Sequence, residues 1–147
     1  MNNNIPSESD WRSEPWGIDT PYAYNHFQGK SREDAVELFV ENAIYYQEDI
    51  MFMPEACFRY YIHSYMDYLF SGRSAGDSDA ANCFFGIVEI RKDDIARADF
   101  DLRQRILDML KRLASQQAWY EADIEIYGDF IERSAQCMQM IDERLNK

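Results

Sequence analysis

Apolar residues recur with the period of an α-helix most clearly over residues 51–72. Positions three and four residues apart form one apolar stripe, which consists of Phe58, Tyr61, Ile62, Tyr65, Met66 and Leu69. Pro54 suits the first helical turn, because its missing N–H is not needed there. Gly72 follows the stripe and can adopt the left-handed conformation that often ends a helix. The pattern predicts one core helix in this segment.

A second apolar pattern predicts a long helix that begins at Ser31 and ends near Asp49. Ser31 with Asp34 three residues later resembles a capping box. Pro54 separates this helix from the core helix, since the residue before a proline is biased away from helical conformation. The short link predicts an antiparallel helical hairpin. The residues of the first helix that are expected to face inward are Val36, Phe39, Val40, Ala43 and Ile44.

Two more helices are predicted after the flexible loop at residues 71–78. The first runs to about Arg91 and is capped by one of three polar residues, Asp77, Ser78 or Asp79. Residues 93–99 form a connector or a weak helical turn, and Asp99 or Asp101 can cap the next helix. The expected inward residues are Ala81, Phe84, Phe85 and Val88 in the first helix and Leu102, Ile106, Met109, Leu110 and Leu113 in the second.

The last segment repeats every seven residues and predicts a bundle seam or a short coiled-coil-like helix. Its two lines are Ile124, Ile131, Met138 and Leu145, and Tyr127, Ser134 and Ile141. Gly128 interrupts the repeat, and residues 122–128 also match a strand followed by a turn. Helix and strand both remain open for this short stretch.

Residues 1–30 are predicted to be an irregular arm that packs on the rest of the chain, because prolines and glycines interrupt any pattern. The arm is too aromatic for a free tail, with Trp11, Trp16, Tyr22, Tyr24 and Phe27. Residues 31–147 are then one helical bundle domain. The predicted fold is all-α, a single compact bundle of about five helices.

Charge narrows the possible partners, because the chain has a net charge of −12. Residues 31–70 contain eight carboxylates against Arg32 and Arg59, which leaves this segment with a net charge of −6. Such a balance repels nucleic acids and anionic membranes and attracts a basic protein. The start of the chain lacks the basic and apolar regions of a signal peptide, so we expect a cytoplasmic protein.

Candidate catalytic and metal-binding residues are few. Arg59, His63 and Asp67 form a row four residues apart, in which His63 could act as an acid or base. We favour the interpretation that His63 is a helix-surface or boundary histidine with a carboxylate neighbour, because no nucleophile or metal partner is visible. The three cysteines lie outside any paired motif and are expected to be reduced thiols. No Glu-x-x-His or other metal spacing occurs, so we expect no metal and no cofactor.

We therefore expect a small acidic interaction protein, such as an immunity protein or inhibitor that masks a basic partner, rather than an enzyme. The residues assigned to partner binding are Glu33, Glu37, Glu41, Tyr45, Tyr46, Glu48 and Asp49. One alternative is a bundle that binds a small ligand in a pocket lined by aromatic residues and Met51, Met53 and Met66. The other is an enzyme that uses His63 or paired carboxylates.

Overall fold

The structure, a computed structural model, describes residues 4–147, and all regular elements among these residues are helical, which confirms the all-α class. The described chain divides after Tyr68 into two compact units. The α-helices are α1 (Glu8–Trp11), α2 (Thr20–Phe27), α3 (Arg32–Phe52), α4 (Glu55–Phe70), α5 (Ser78–Ile90), α6 (Lys92–Arg97), α7 (Phe100–Ser115), α8 (Ile124–Tyr127) and α9 (Phe130–Leu145). A short 3₁₀ helix occupies Gly72–Ser74.

The N-terminal segment is more regular than predicted, because it contains α1 and α2. Ser7 and Asp10 form a reciprocal capping box at the start of α1. Pro21 lies in the first turn of α2, where a helix tolerates proline, so it does not break the pattern as the sequence suggested. Trp11 and Phe27 are fully buried, as predicted for the aromatic residues of this segment, but Tyr22 is exposed.

Helix α3 begins as predicted, since the hydroxyl of Ser31 accepts a hydrogen bond from the Asp34 amide. Its predicted inward face is partly wrong, because Val40 and Ile44 are exposed. Successive residues are about 100° apart around a helix, so Ile44 points away from the face that contains its buried neighbour Ala43. The residues of α3 that are buried are Ala35, Phe39, Ala43, Gln47, Asp49 and Ile50. The helix also continues three residues beyond its predicted end, to Phe52.

Helix α4 confirms the strongest sequence prediction, since all six residues of its apolar stripe are buried. Its contacts with α3 are antiparallel: the hydroxyl of Ser64, near the end of α4, donates to the carbonyl of Arg32 at 2.8 Å. Gly72 does not supply the predicted left-handed cap, because it begins the 3₁₀ helix. The hydroxyl of Ser74 instead donates to the Leu69 carbonyl at 3.0 Å and satisfies one of the last helical acceptors.

The C-terminal unit is built around α9, which packs against α5, α6 and α7. Caps by Asp77 and Asp99 confirm the predicted starts of α5 and α7. All inward residues predicted for these two helices are buried. Residues 93–99, predicted as a connector or weak turn, lie largely in α6.

The predicted seam of the last segment is partly wrong: Ser134 and Ile141 of its second line are buried, but its first line is not. Ile124, Ile131 and Leu145 are exposed, whereas the buried line of α9 consists of Phe130, Ser134, Cys137 and Ile141. Gly128 has φ of +82°, a left-handed conformation that residues other than glycine rarely adopt, and it separates α8 from α9. The seven-residue repeat therefore crosses a break, and its phase is not continuous. Residues 122–128 contain the short α8 rather than a strand.

All three cysteines are free thiols; Cys57 and Cys137 are buried and Cys83 is half-buried. None of the helices among residues 4–147 combines the length and apolar character needed to span a membrane.

Candidate functional site

Three carboxylates form an exposed row on the N-terminal half of α3. Glu33, Glu37 and Glu41 follow one another at intervals of four residues, and all three are exposed. Side chains at this spacing are neighbours on a helix, and a like-charged pair destabilises the helix by about 0.2–0.5 kcal/mol. The row therefore opposes helix stability slightly, and its main physical effect is a negative field outside the molecule.

The two arginines of the acidic segment are held by carboxylates outside this row. Arg32 donates from Nε and Nη2 to the two oxygens of Asp67, at 2.6 and 2.7 Å. Arg59 donates to Glu55 at 2.9 Å. Within residues 4–147, no basic side chain forms a salt bridge of 4.0 Å or less with Glu33 or Glu41. The charges of these two glutamates are thus left without an internal ion pair.

A kink at Asn42 separates the carboxylate row from an aromatic pair. The backbone of Asn42 is extended, with φ of −161° and ψ of 85°, and its side-chain oxygen accepts a hydrogen bond from the Tyr45 amide at 3.1 Å. Asn42 therefore acts as the N-cap residue of the second half of α3. The rings of Tyr45 and Tyr46 follow this cap with centroids 4.9 Å apart.

Asp49 occupies a different position from the one predicted for it. The sequence placed it on the exposed acidic face, but it is only 6% exposed, and its Oδ2 lies 2.7 Å from Nδ1 of His26 on α2. Burial raises the pKa of the Asp49 carboxyl above its ordinary value, and the hydrogen bond with His26 opposes this rise. Asp49 is therefore buried against α2, while Glu48 beside it remains exposed.

His26 is enclosed by the aromatic pair on α3. Its ring centroid lies 5.4 Å from that of Tyr45 and 5.1 Å from that of Tyr46. No pattern in the sequence indicated this arrangement, since His26 is 23 residues from Asp49 and lies in a segment that was predicted to be irregular. Only the packing of α2 against α3 brings these groups together.

The imidazole–carboxylate pair lies in the wall of a cavity of about 230 Å³ between α2 and α3. The cavity combines carboxylates with aromatic rings, and its lining residues are Asp19, Tyr22, His26, Tyr45, Glu48, Asp49 and Phe52. Among the described residues, the lining contains no serine, threonine or cysteine.

The other predicted candidates lie outside the cavity. His63 is half-buried on α4 and does not line it, and the carboxylate of its predicted neighbour Asp67 binds Arg32. Met53 and Met66 are buried, and no methionine among residues 4–147 lines the cavity. Among the described residues, no group of three or more His, Cys, Asp or Glu side chains could hold a metal ion.

Comparisons of the chain with known protein families, with curated proteins and with solved structures found no match. The residues of the site are therefore the basis for a functional proposal.

Proposed function

We propose that the protein is a small acidic interaction protein that binds a basic protein partner through the exposed surface of α3. The residues of this acidic surface are Glu33, Glu37, Glu41, Tyr45, Tyr46 and Glu48. An immunity protein or an inhibitor that masks a basic partner is one form of this proposal. The partner is thus a protein with a positively charged patch.

The main support is the unbalanced charge of α3. Arg32 and Arg59 form their ion pairs with Asp67 and Glu55 rather than with Glu33 or Glu41. A row of like charges that slightly opposes helix stability is easier to understand if it contributes to binding. Its field accelerates encounters with a positively charged protein, and salt weakens this effect.

The tyrosines add contact area beside the carboxylates. Tyr45 is 52% exposed and Tyr46 is partly exposed. Tyrosine buries a large ring at low conformational cost and is enriched at protein interfaces. The kink at Asn42 places this pair one turn beyond the carboxylate row, so one partner could contact both groups.

The test begins with capture of partners by the immobilised protein from an extract of its native host, followed by mass spectrometry. Kinetics are then compared for a variant that carries Glu33→Gln, Glu37→Gln and Glu41→Gln. At low ionic strength its association rate with the captured partner should fall by about tenfold or more. The difference should largely disappear in about 1 M salt, where the screening length is about 3 Å.

The matched control neutralises three exposed glutamates of the C-terminal unit, by Glu125→Gln, Glu132→Gln and Glu143→Gln. It changes the net charge equally and should have a much smaller effect on the association rate. Equal effects of the two variants would place the docking surface elsewhere. Capture of acidic or neutral proteins alone would refute the basic partner.

A further inference from the structure

We infer that the cavity between α2 and α3 is a binding site for an organic cation whose head group is a guanidinium. The ligand is either the arginine side chain of a protein or a small free guanidine. This inference does not depend on the proposed function, because a free guanidine could occupy the cavity without a protein partner.

The lining of the cavity is negatively charged. Asp19, Glu48 and Asp49 contribute three carboxylates, and His26 is the only basic residue that lines the cavity. Even with a charged imidazole, the wall is negative overall. An anionic ligand is therefore excluded, and a cation would relieve the repulsion among the carboxylates.

Asp49 can accept a further hydrogen bond. Asp49 is only 6% exposed, and only its Oδ2 atom has a hydrogen-bond partner within residues 4–147. An ionised carboxylate accepts through both oxygens, so Oδ1 is available to a ligand in the cavity. Among the described residues, Oδ1 is not one of the buried polar atoms that lack a partner, so it is accessible from the cavity, where a bound N–H group can donate to it.

Asp19 and Glu48 have the same capacity. Asp19 precedes α2 as its cap residue, but its side chain makes no capping hydrogen bond. Among the described residues, neither Asp19 nor Glu48 forms a salt bridge with a basic side chain. The cavity thus presents acceptors from the start of α2 and from the end of α3.

The aromatic residues and the size of the cavity select the head group. Tyr22, Tyr45 and Phe52 offer ring faces, on which a guanidinium stacks well because it is planar and weakly hydrated. Its five N–H donors can reach several carboxylates at once, whereas an ammonium has three. A volume of about 230 Å³ is below the range of about 300–1,000 Å³ for drug-sized ligands, and it suits a single side chain.

The test is titration of the protein with Nα-acetyl-arginine amide, followed by amide chemical shifts and by calorimetry. Saturable binding should perturb the amides of residues 19–27 and 45–52. Nα-acetyl-citrulline amide has nearly the same shape without the charge and should bind at least about tenfold more weakly. Nα-acetyl-lysine amide should also bind more weakly, since it lacks the planar head group. Equal binding of the citrulline compound, or shifts confined to other residues, would overturn the inference.

Three variants test which carboxylates bind the cation. Asp49→Asn should weaken binding by about tenfold or more. Glu48→Gln is the second test, because Glu48 is exposed and its replacement leaves the His26 contact intact; it should weaken binding several-fold. Glu132→Gln removes an exposed carboxylate of the C-terminal unit that does not line the cavity and should leave the affinity nearly unchanged. Unchanged affinity in Glu48→Gln and Asp49→Asn would refute the site.

A comparison with agmatine, a free guanidine, distinguishes the two sources of the ligand. Tighter binding of blocked arginine identifies a protein side chain, and tighter binding of agmatine identifies a small molecule; both results support the cavity. Failure of both compounds to bind overturns the cation site. It leaves the acidic surface of α3 to be judged by its own charge-neutralised variant.

Discussion

The guanidinium of Arg32 forms two parallel hydrogen bonds with the carboxylate of Asp67, at 2.6 and 2.7 Å. This bidentate pair joins the first turn of α3 to the last turns of α4 and fixes the hairpin that the sequence predicted. It also removes Arg32 from the acidic surface, because a guanidinium held by two oxygens has little freedom to reach another carboxylate.

A double-mutant cycle with Arg32→Gln and Asp67→Asn should give a coupling energy of about 1 kcal/mol in urea unfolding, because the side chains remain partly exposed to solvent. The coupling should decrease in high salt. The control is the same cycle at Arg12 and Glu8, an exposed pair four residues apart, where about 0.3–0.5 kcal/mol is expected. A coupling no larger than that of the control would show that the bidentate geometry adds nothing.

Leu69 tests the core assignment of α4. Its side chain is fully buried, so Leu69→Ala removes packed methyl groups and leaves a cavity. We expect the free energy of unfolding to fall by about 2–5 kcal/mol, measured by urea denaturation. Leu145→Ala makes the same change at a residue that is 46% exposed and should cost less than about 1 kcal/mol. Similar losses for both variants would contradict the burial of Leu69.

The burial of Tyr61 predicts that alkaline pH lowers the stability of the folded protein. Its hydroxyl lies 2.8 Å from the carbonyl oxygens of both Phe27 and Lys30, and it shares its proton between them. Burial raises the pKa of Tyr61 well above its ordinary value, with a smaller contribution from Tyr60. In the unfolded chain a tyrosine ionises near pH 10, so above that pH the unfolded state binds fewer protons and the folded state loses stability.

Tyr61→Phe removes this contribution. The free energy of unfolding should fall by about 1–3 kcal/mol at neutral pH, since the Lys30 carbonyl loses its donor and the Phe27 carbonyl keeps only the Lys30 amide. Above about pH 10 it should decline less steeply than in the original protein. Tyr22→Phe alters an exposed ring and should change neither quantity appreciably. An alkaline slope that Tyr61→Phe leaves unchanged would contradict the assigned role of Tyr61.

Helix positions were largely determined by local sequence. The caps Ser31, Asp77 and Asp99 and the stripe of α4 were predicted correctly, because capping and helical periodicity depend on residues within a few positions of one another. The errors arose where one residue changes the helical phase or its boundary. Gly128, with its positive φ, separated α8 from α9 and displaced the expected seam.

The candidate site could be predicted from the sequence only in part. The sequence alone identified the charge of residues 31–70 and the exposed glutamates of α3, since charge can be counted without knowing the fold. It could not identify the pairing of His26 with Asp49 or the cavity around them. These contacts join residues 23 positions apart, and they exist only because α2 packs against α3. Tertiary structure decided which carboxylates face solvent and which one is buried, because burial depends on the neighbours that packing supplies.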